Sequence, residues 1–218
     1  MTRTSIDPEH PEVIPMETLW PALIATLVIC ALYGLLPKSL PLGPDWLLET
    51  IVVVILIPYV ILRLKHKYHV AQILGLIILG IITGFIAYTL GILVYSVPQH
   101  SISAIVMLQA AALLWVCNVL VFSLWYWRLD AGGPHARAKH GGHIPDCFLF
   151  PQMMMHNHGV GWSPRFVDYL FLAFNTSTAF SPTDTAILSR WAKLLVMLQS
   201  LISLSLVALI AARAVNII

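Results

Sequence analysis

Long apolar runs broken by short polar stretches dominate this chain, and five of them have the length of a membrane-crossing helix. They cover about Thr18 to Leu36, Trp46 to Leu62, Val70 to Val97, Ile102 to Trp127 and Ser189 to Ile217. A helix needs roughly 20 residues to cross a hydrocarbon layer about 30 Å thick. These runs are too long for globular strands, and the polar–apolar alternation of an outer-membrane barrel is absent. The pattern therefore predicts an all-α integral membrane protein with five transmembrane helices. Pro21 falls near the start of the first run, where its missing N–H is tolerated. Pro37 closes that run, and Pro58 predicts a kink in the second.

A shorter pattern precedes the last run. The stretch Ser163 to Arg190 opens with Ser163-Pro164, a plausible N-cap followed by proline at the first helical position. An apolar run from Phe166 to Phe174 follows, interrupted by Asp168, and then the polar patch Asn175-Thr176-Ser177-Thr178. Ser181-Pro182-Thr183-Asp184 then reads as a second helix start, with the aspartate as capping-box partner. Phe166 to Phe180 is 15 residues, about 22 Å of helix, which is short for a crossing. A short apolar helix, a polar turn and a helix restart describe a re-entrant loop. An amphipathic helix lying in the interface fits the same pattern.

Composition agrees with the membrane reading. Of the 218 residues 59% are hydrophobic and 10% charged, against roughly 25% charged in soluble domains, and the mean hydropathy is +0.85. A net charge of +2 without a basic stripe excludes a nucleic-acid partner. Trp20, Trp46 and the cluster Trp125, Tyr126, Trp127 lie at run ends, as interfacial anchors do. With five simple crossings, Arg3, Arg63, Lys65, Lys67, Arg128, Arg137, Lys139, Arg165, Arg190 and Lys193 share one side, and only Lys38 and Arg213 take the other. The positive-inside rule then puts the amino terminus and the loop 128–163 in the cytoplasm. Residues 1–16 carry Asp7, Glu9 and Glu12 rather than a basic start, so no cleavable signal peptide is expected. Four parts follow: a polar segment 1–17, two helical hairpins in 18–127, a polar loop 128–163, and the short helix, turn and last crossing in 164–218.

Two resemblances bear on function. The order of outer helix, short apolar helix, Thr/Ser-rich turn, Asp and inner helix resembles the pore module of tetrameric cation channels over about 50 residues. Potassium members fill the turn with Thr-Val-Gly-Tyr-Gly-Asp, whereas here it reads Thr178-Ala179-Phe180-Ser181-Pro182-Thr183-Asp184. Both glycines are missing and a proline is present, so the filter is degenerate. A potassium-type loop enters from outside, while the charge pattern sets this one on the cytoplasmic face, as in glutamate-receptor pores. Over most of its length the chain also resembles an uncharacterised family of bacterial inner-membrane proteins, a domain of unknown function. That likeness rests on Asp168-Tyr169-Leu170 through Phe174, Ser181 to Asp184, Ser189-Arg190 and Ala214-Val215-Asn216. It implies an inner-membrane location and this architecture, and supplies no mechanism.

The remaining polar positions offer weaker chemistry. Gln109 and Asn118 lie in the fourth run, and Gln199, Ser200, Ser203 and Ser205 in the fifth. Gln199 and Ser203 share a helix face. They either line a pathway with Asn175 and Thr178 or simply bond between helices. Gly75, Gly80, Gly84 and Gly91 lie in the third run, with Gly80 and Gly84 in a GxxxG spacing, and predict a helix-packing face, within one chain or between chains. His135, His140, His143, His156 and His158, with Met153 to Met155, Asp146 and Cys147, suit a soft metal or zinc by residue type. Gly141 and Gly142 disfavour a helical His140/His143 pair. Cys30, Cys117 and Cys147 form no disulfide or haem motif, and no nucleophile–base pair or phosphate loop marks an enzyme. No cofactor is expected.

The leading expectation is a channel-like or transport protein in the lipid bilayer, passing a small ion. Asn175, Thr176, Ser177, Thr178 and Asp184 would line the path with Gln199 and Ser203. One loop per chain does not enclose a pore, so this reading requires a homo-oligomer. The alternatives are a non-conducting assembly or sensor protein, and a metal-responsive protein acting through the His/Met loop.

Overall fold

The computed structural model describes residues 18, 20–38, 40, 46–99, 102–139, 146–155, 162–178 and 185–215. Its helices are α1 (Trp20–Gly34), α2 (Leu47–Leu64), α3 (Tyr68–Gln99), α4 (Ala104–Leu129), α5 (Pro134–Lys139), α6 (Pro151–Met154), α7 (Phe166–Thr178) and α8 (Arg190–Ala214). The strands β1 (Phe148–Leu149) and β2 (Ala186–Ile187) form one small antiparallel pair, Phe148 opposite Ile187 and Leu149 opposite Ala186. The fold is otherwise all-helical, and α2, α3, α4 and α8 are long and apolar enough to cross a membrane. The first run, expected as a full crossing, gives a helix of 15 residues.

Helix α4 is the hub, with α1, α3, α7 and α8 packed against it. Its small buried residues Ala110, Ala111, Cys117 and Ser123 let neighbours approach closely. The surrounding helices bury one stripe each and turn apolar side chains outward, among them Val54, Ile57, Leu201 and Leu204. Continuous apolar exposure of this kind is costly in water and neutral in lipid. Hydroxyls in the helices are satisfied locally: Thr26, Thr83 and Ser205 each donate to the carbonyl four residues back.

One end of the bundle gathers the ends of α2 and α4 and the starts of α3 and α8. There α4 breaks off in a single 3-10 turn, Asp130–Gly132, with Ala131, Gly132 and Gly133 at φ of 48°, 74° and 92°. Glycine suits that region, and Ala131 is strained in it. At the opposite end Arg213 of α8 donates to Met107 Sδ at 3.1 Å and to the Val97 carbonyl at 3.2 Å.

Pro58 lies inside α2. Several expectations shift. Helix α7 starts at Phe166 rather than at Pro164. The helix restart at Ser181 to Asp184 lies outside the described residues, but Ala186 and Ile187 are extended, so no helix continues from it into α8. Instead Ser189 caps α8, accepting from the Ala192 amide at 3.1 Å. Gly80, Gly84 and Gly91 make no packing contact with the described residues. A Cβ built at any of them meets nothing within 4 Å. Gly75 is the α3 glycine that packs: a Cβ there would collide with the Arg128 guanidinium.

Candidate functional site

Helix α7, at 13 residues, is too short to cross, and both of its ends are fixed by polar bonds. Its inward stripe is Phe166, Tyr169, Leu172, Ala173 and Ser177, and Val167, Phe171 and Phe174 face outward. At its start Asp168 Oδ2 accepts the Arg165 backbone amide at 2.7 Å. Asp168 is therefore a cap on the first turn, where the helix dipole favours a negative charge.

One turn further, the Tyr169 hydroxyl donates to Asp130 Oδ2 at 2.6 Å, and the Cys147 amide donates to Asp130 Oδ1 at 3.0 Å. Asp130 is fully buried, and a buried carboxylate survives only when its oxygens are bonded. Arg137, also buried, donates from Nη1 to the Trp127 and Asp130 carbonyls at 2.9 and 2.8 Å. Its guanidinium lies over the Tyr169 ring, 5.3 Å from the centroid. Phe148 and Phe150 close around the same ring at 6.2 and 5.4 Å. The strand pair completes this collar, and the Leu188 amide donates to the Cys147 carbonyl at 2.9 Å.

The last turn of α7 is held at depth. Gln199 Nε2 donates to the Ala173 carbonyl and to Ser177 Oγ, both at 2.7 Å. Gln199 Oε1 accepts the Tyr126 hydroxyl at 2.5 Å. The Ser203 hydroxyl donates to the Ser177 carbonyl at 2.6 Å and accepts from Trp115 Nε1 at 3.0 Å. Asn118 Nδ2 donates to the Gln199 carbonyl at 3.3 Å, while Asn118 Oδ1 has no partner among the described residues. Three helices are thus tied at one level. Ser203 is 13 residues into α8 from Arg190, about 20 Å along the axis. Helix α7 itself, at 13 residues, is also about 20 Å long. Seven residues lie between Thr178 and Ala186, and the eight steps reach about 26 Å when extended. The chain therefore has length enough to return from that depth to the Asp130 collar.

The residues singled out in the sequence divide accordingly. Ser177, Gln199 and Ser203 come together, buried and bonded to one another. Thr176 and Thr178 donate to the Leu172 and Phe174 carbonyls of their own helix at 2.9 and 3.1 Å. Asn175 is half-buried on the same turn. Asp184, His140, His143, His156 and His158 lie outside the described residues. His135 stacks on the Tyr68 ring at 3.7 Å.

Among the described residues, one group of His, Cys, Asp or Glu is close enough to hold a metal ion. It consists of Asp130, Asp146 and Cys147, whose ligand atoms lie within 4.8 Å of one another. Burial first, and then the neighbouring Asp146 and Asp130 carboxylates, push the Cys147 thiol up against a lowering Ser189 bond. A metal ion bound there would have to displace the thiol proton.

Asp130, Arg137 and Tyr126 are the site residues that sequence reasoning passed over. The available signal was a charged residue directly abutting the fourth apolar run. Compared with known proteins, the chain matches no protein-family model, and neither a curated protein nor a solved structure is similar to it.

Proposed function

We propose that the chain is a channel-like or transport membrane protein in which residues 166–189 form a re-entrant loop. One observation carries the reading. Helix α7 starts at the Asp130 collar and ends bonded to Gln199 and Ser203 in the middle of α8, yet Ala186 to Ser189 are back beside Cys147. An interfacial helix would not reach the middle of a crossing helix. Non-helical backbone at such depth is tolerated where protein or a watery cavity surrounds it, and that need supports an oligomer whose loops meet.

In this reading Ser177, Gln199 and Ser203 are the scaffold of the turn. Asn175, Thr176, Thr178 and Asp184 are left to face the path, where hydroxyls and carbonyls replace ion hydration. The basic collar end is the cytoplasmic one, and the membrane is the bacterial inner membrane implied by the family resemblance. A second reading, a non-conducting assembly or sensor protein, is favoured by the complete bonding of the Gln199 amide, which needs no water.

Ion flux through purified protein in liposomes separates them, with wild type beside Thr178→Ala and Asp184→Asn. The expected result is cation flux that either substitution alters. Absence of flux for potassium, sodium, protons and chloride, in protein shown to be folded and inserted, overturns the channel reading in favour of the second.

A further inference from the structure

A second polar centre lies at the same end of the bundle, away from α7. A small cleft opens between the end of α2, the start of α3 and the end of α4, lined by Arg63, Tyr68, Gln72, Arg128 and His135 among others. No acidic side chain is among its described lining residues. Arg128 is 7% exposed. Among the described residues the hydrogen-bond partner of its guanidinium is the Tyr59 hydroxyl, 3.1 Å from Nη2, and Nε is unpartnered. Arg63 faces that same hydroxyl and holds the rim, its guanidinium 5.4 Å from the Tyr68 ring centroid.

Two guanidiniums around one phenol, with no counter-charge among the described residues that line the cleft, are an expensive arrangement. A buried cation is stable when paired, and guanidinium forks match tetrahedral oxyanions in a way that a point charge does not. The backbone has been shaped to keep Arg128 there. Gly75 leaves the room its guanidinium occupies, and Gln72 Nε2 donates to the Arg128 and Gly132 carbonyls at 3.4 and 3.0 Å, fixing the end of α4. The cleft sits at the ends of apolar helices beside Trp127, whose ring lies 5.7 Å from the Arg128 guanidinium. Lipid phosphates lie at that level in a bilayer.

We propose that the cleft between Arg63 and Arg128 is a binding site for a single phosphate group, carried by a lipid headgroup or free in solution. The full chain in a neutral, phosphate-free detergent is titrated separately with inorganic phosphate and with short-chain phosphatidylglycerol. Melting temperature and the adduct retained in native mass spectrometry are followed. Saturable binding of one adduct per chain is expected, weakened about tenfold by Arg63→Gln, the loss of one charge-assisted pair. Binding should be unchanged by Arg190→Gln, an exposed arginine at the same end. Binding of the lipid alone assigns the phosphate to a headgroup, and binding of both probes shows that the phosphate suffices. Arg128→Gln should abolish binding. Because it also breaks the Tyr59 bond and endangers folding, Arg63→Gln is the deciding variant. No saturable binding of either probe, equal affinity in Arg63→Gln, or an equal loss in Arg190→Gln overturns the site.

Discussion

Gln199 carries more of the architecture than its size suggests, since one amide satisfies Ser177, the Ala173 carbonyl and the Tyr126 hydroxyl. Replacing it with leucine keeps the volume and orphans buried groups on α4 and α7. The expected loss is about 1–3 kcal/mol, read as a lower melting temperature in detergent. Ser203→Ala, which removes hydrogen bonds to Trp115 and Ser177, should cost roughly 0.6 kcal/mol per bond, the average for membrane helices. At Cys147 the raised pKa keeps the thiol neutral when folded, whereas the unfolded chain ionises at the ordinary value. Above that ordinary value the unfolded state gains, so this residue's contribution to stability falls as pH rises. In a Cys30→Ala/Cys117→Ala background, maleimide labelling should rise with pH along a curve displaced upward from that of a free thiol. A curve coincident with the free thiol would contradict the buried, carboxylate-flanked setting.

At the level of elements, α7 is held by its two anchors rather than by length. An isolated helix of 13 residues is marginal on propensity alone. Tyr169→Phe removes the donor to Asp130 and leaves a buried carboxylate oxygen with one partner fewer. The start of α7 and the strand pair should then exchange amide hydrogens faster than α4, whose exchange should be unchanged. Uniform exchange across α4 and α7 would mean that the collar does not hold the helix. The turn after α4 offers an opposite test. Ala131, at φ 48°, should accept glycine with a gain of up to about 1 kcal/mol, measured by thermal unfolding.

At the scale of the whole molecule, α4 has four helices packed against it while α3 presents Gly80, Gly84 and Gly91 outward, with nothing among the described residues over them. Gly80→Leu with Gly84→Leu should therefore leave the melting temperature of a monomer unchanged. The same pair lowers the oligomeric mass in detergent if chains meet on this face, and an unchanged oligomer removes α3 from the interface. Together with flux, that measurement decides whether the loops of several chains can enclose a path.

Much of this was legible along the chain, because crossing a membrane is a demand on composition and length that each segment meets locally. The four long helices and the short helix after Pro164 follow from runs and prolines, whereas α8 starts at Ser189 and not at the Ser181 capping pattern. The shared face of Gln199 and Ser203 follows from a spacing of four. What met that face did not. Ser177 rather than Asn175 or Thr178 points at Gln199, because the first turn of α7 is fixed by Asp168 and Tyr169, and the rotation of the helix follows from those anchors. Asp130 and Arg137 looked like loop charges, since nothing in a sequence says that a residue after a helix end will be folded back under an aromatic collar. Arg63 and Arg128 counted only as inward-side positive charges, being 65 positions apart. Which helices are long and apolar enough to cross a membrane was largely written in the sequence, where hydrophobicity acts residue by residue. Which polar groups share a site was decided by tertiary structure, where distance depends on how helices turn against one another.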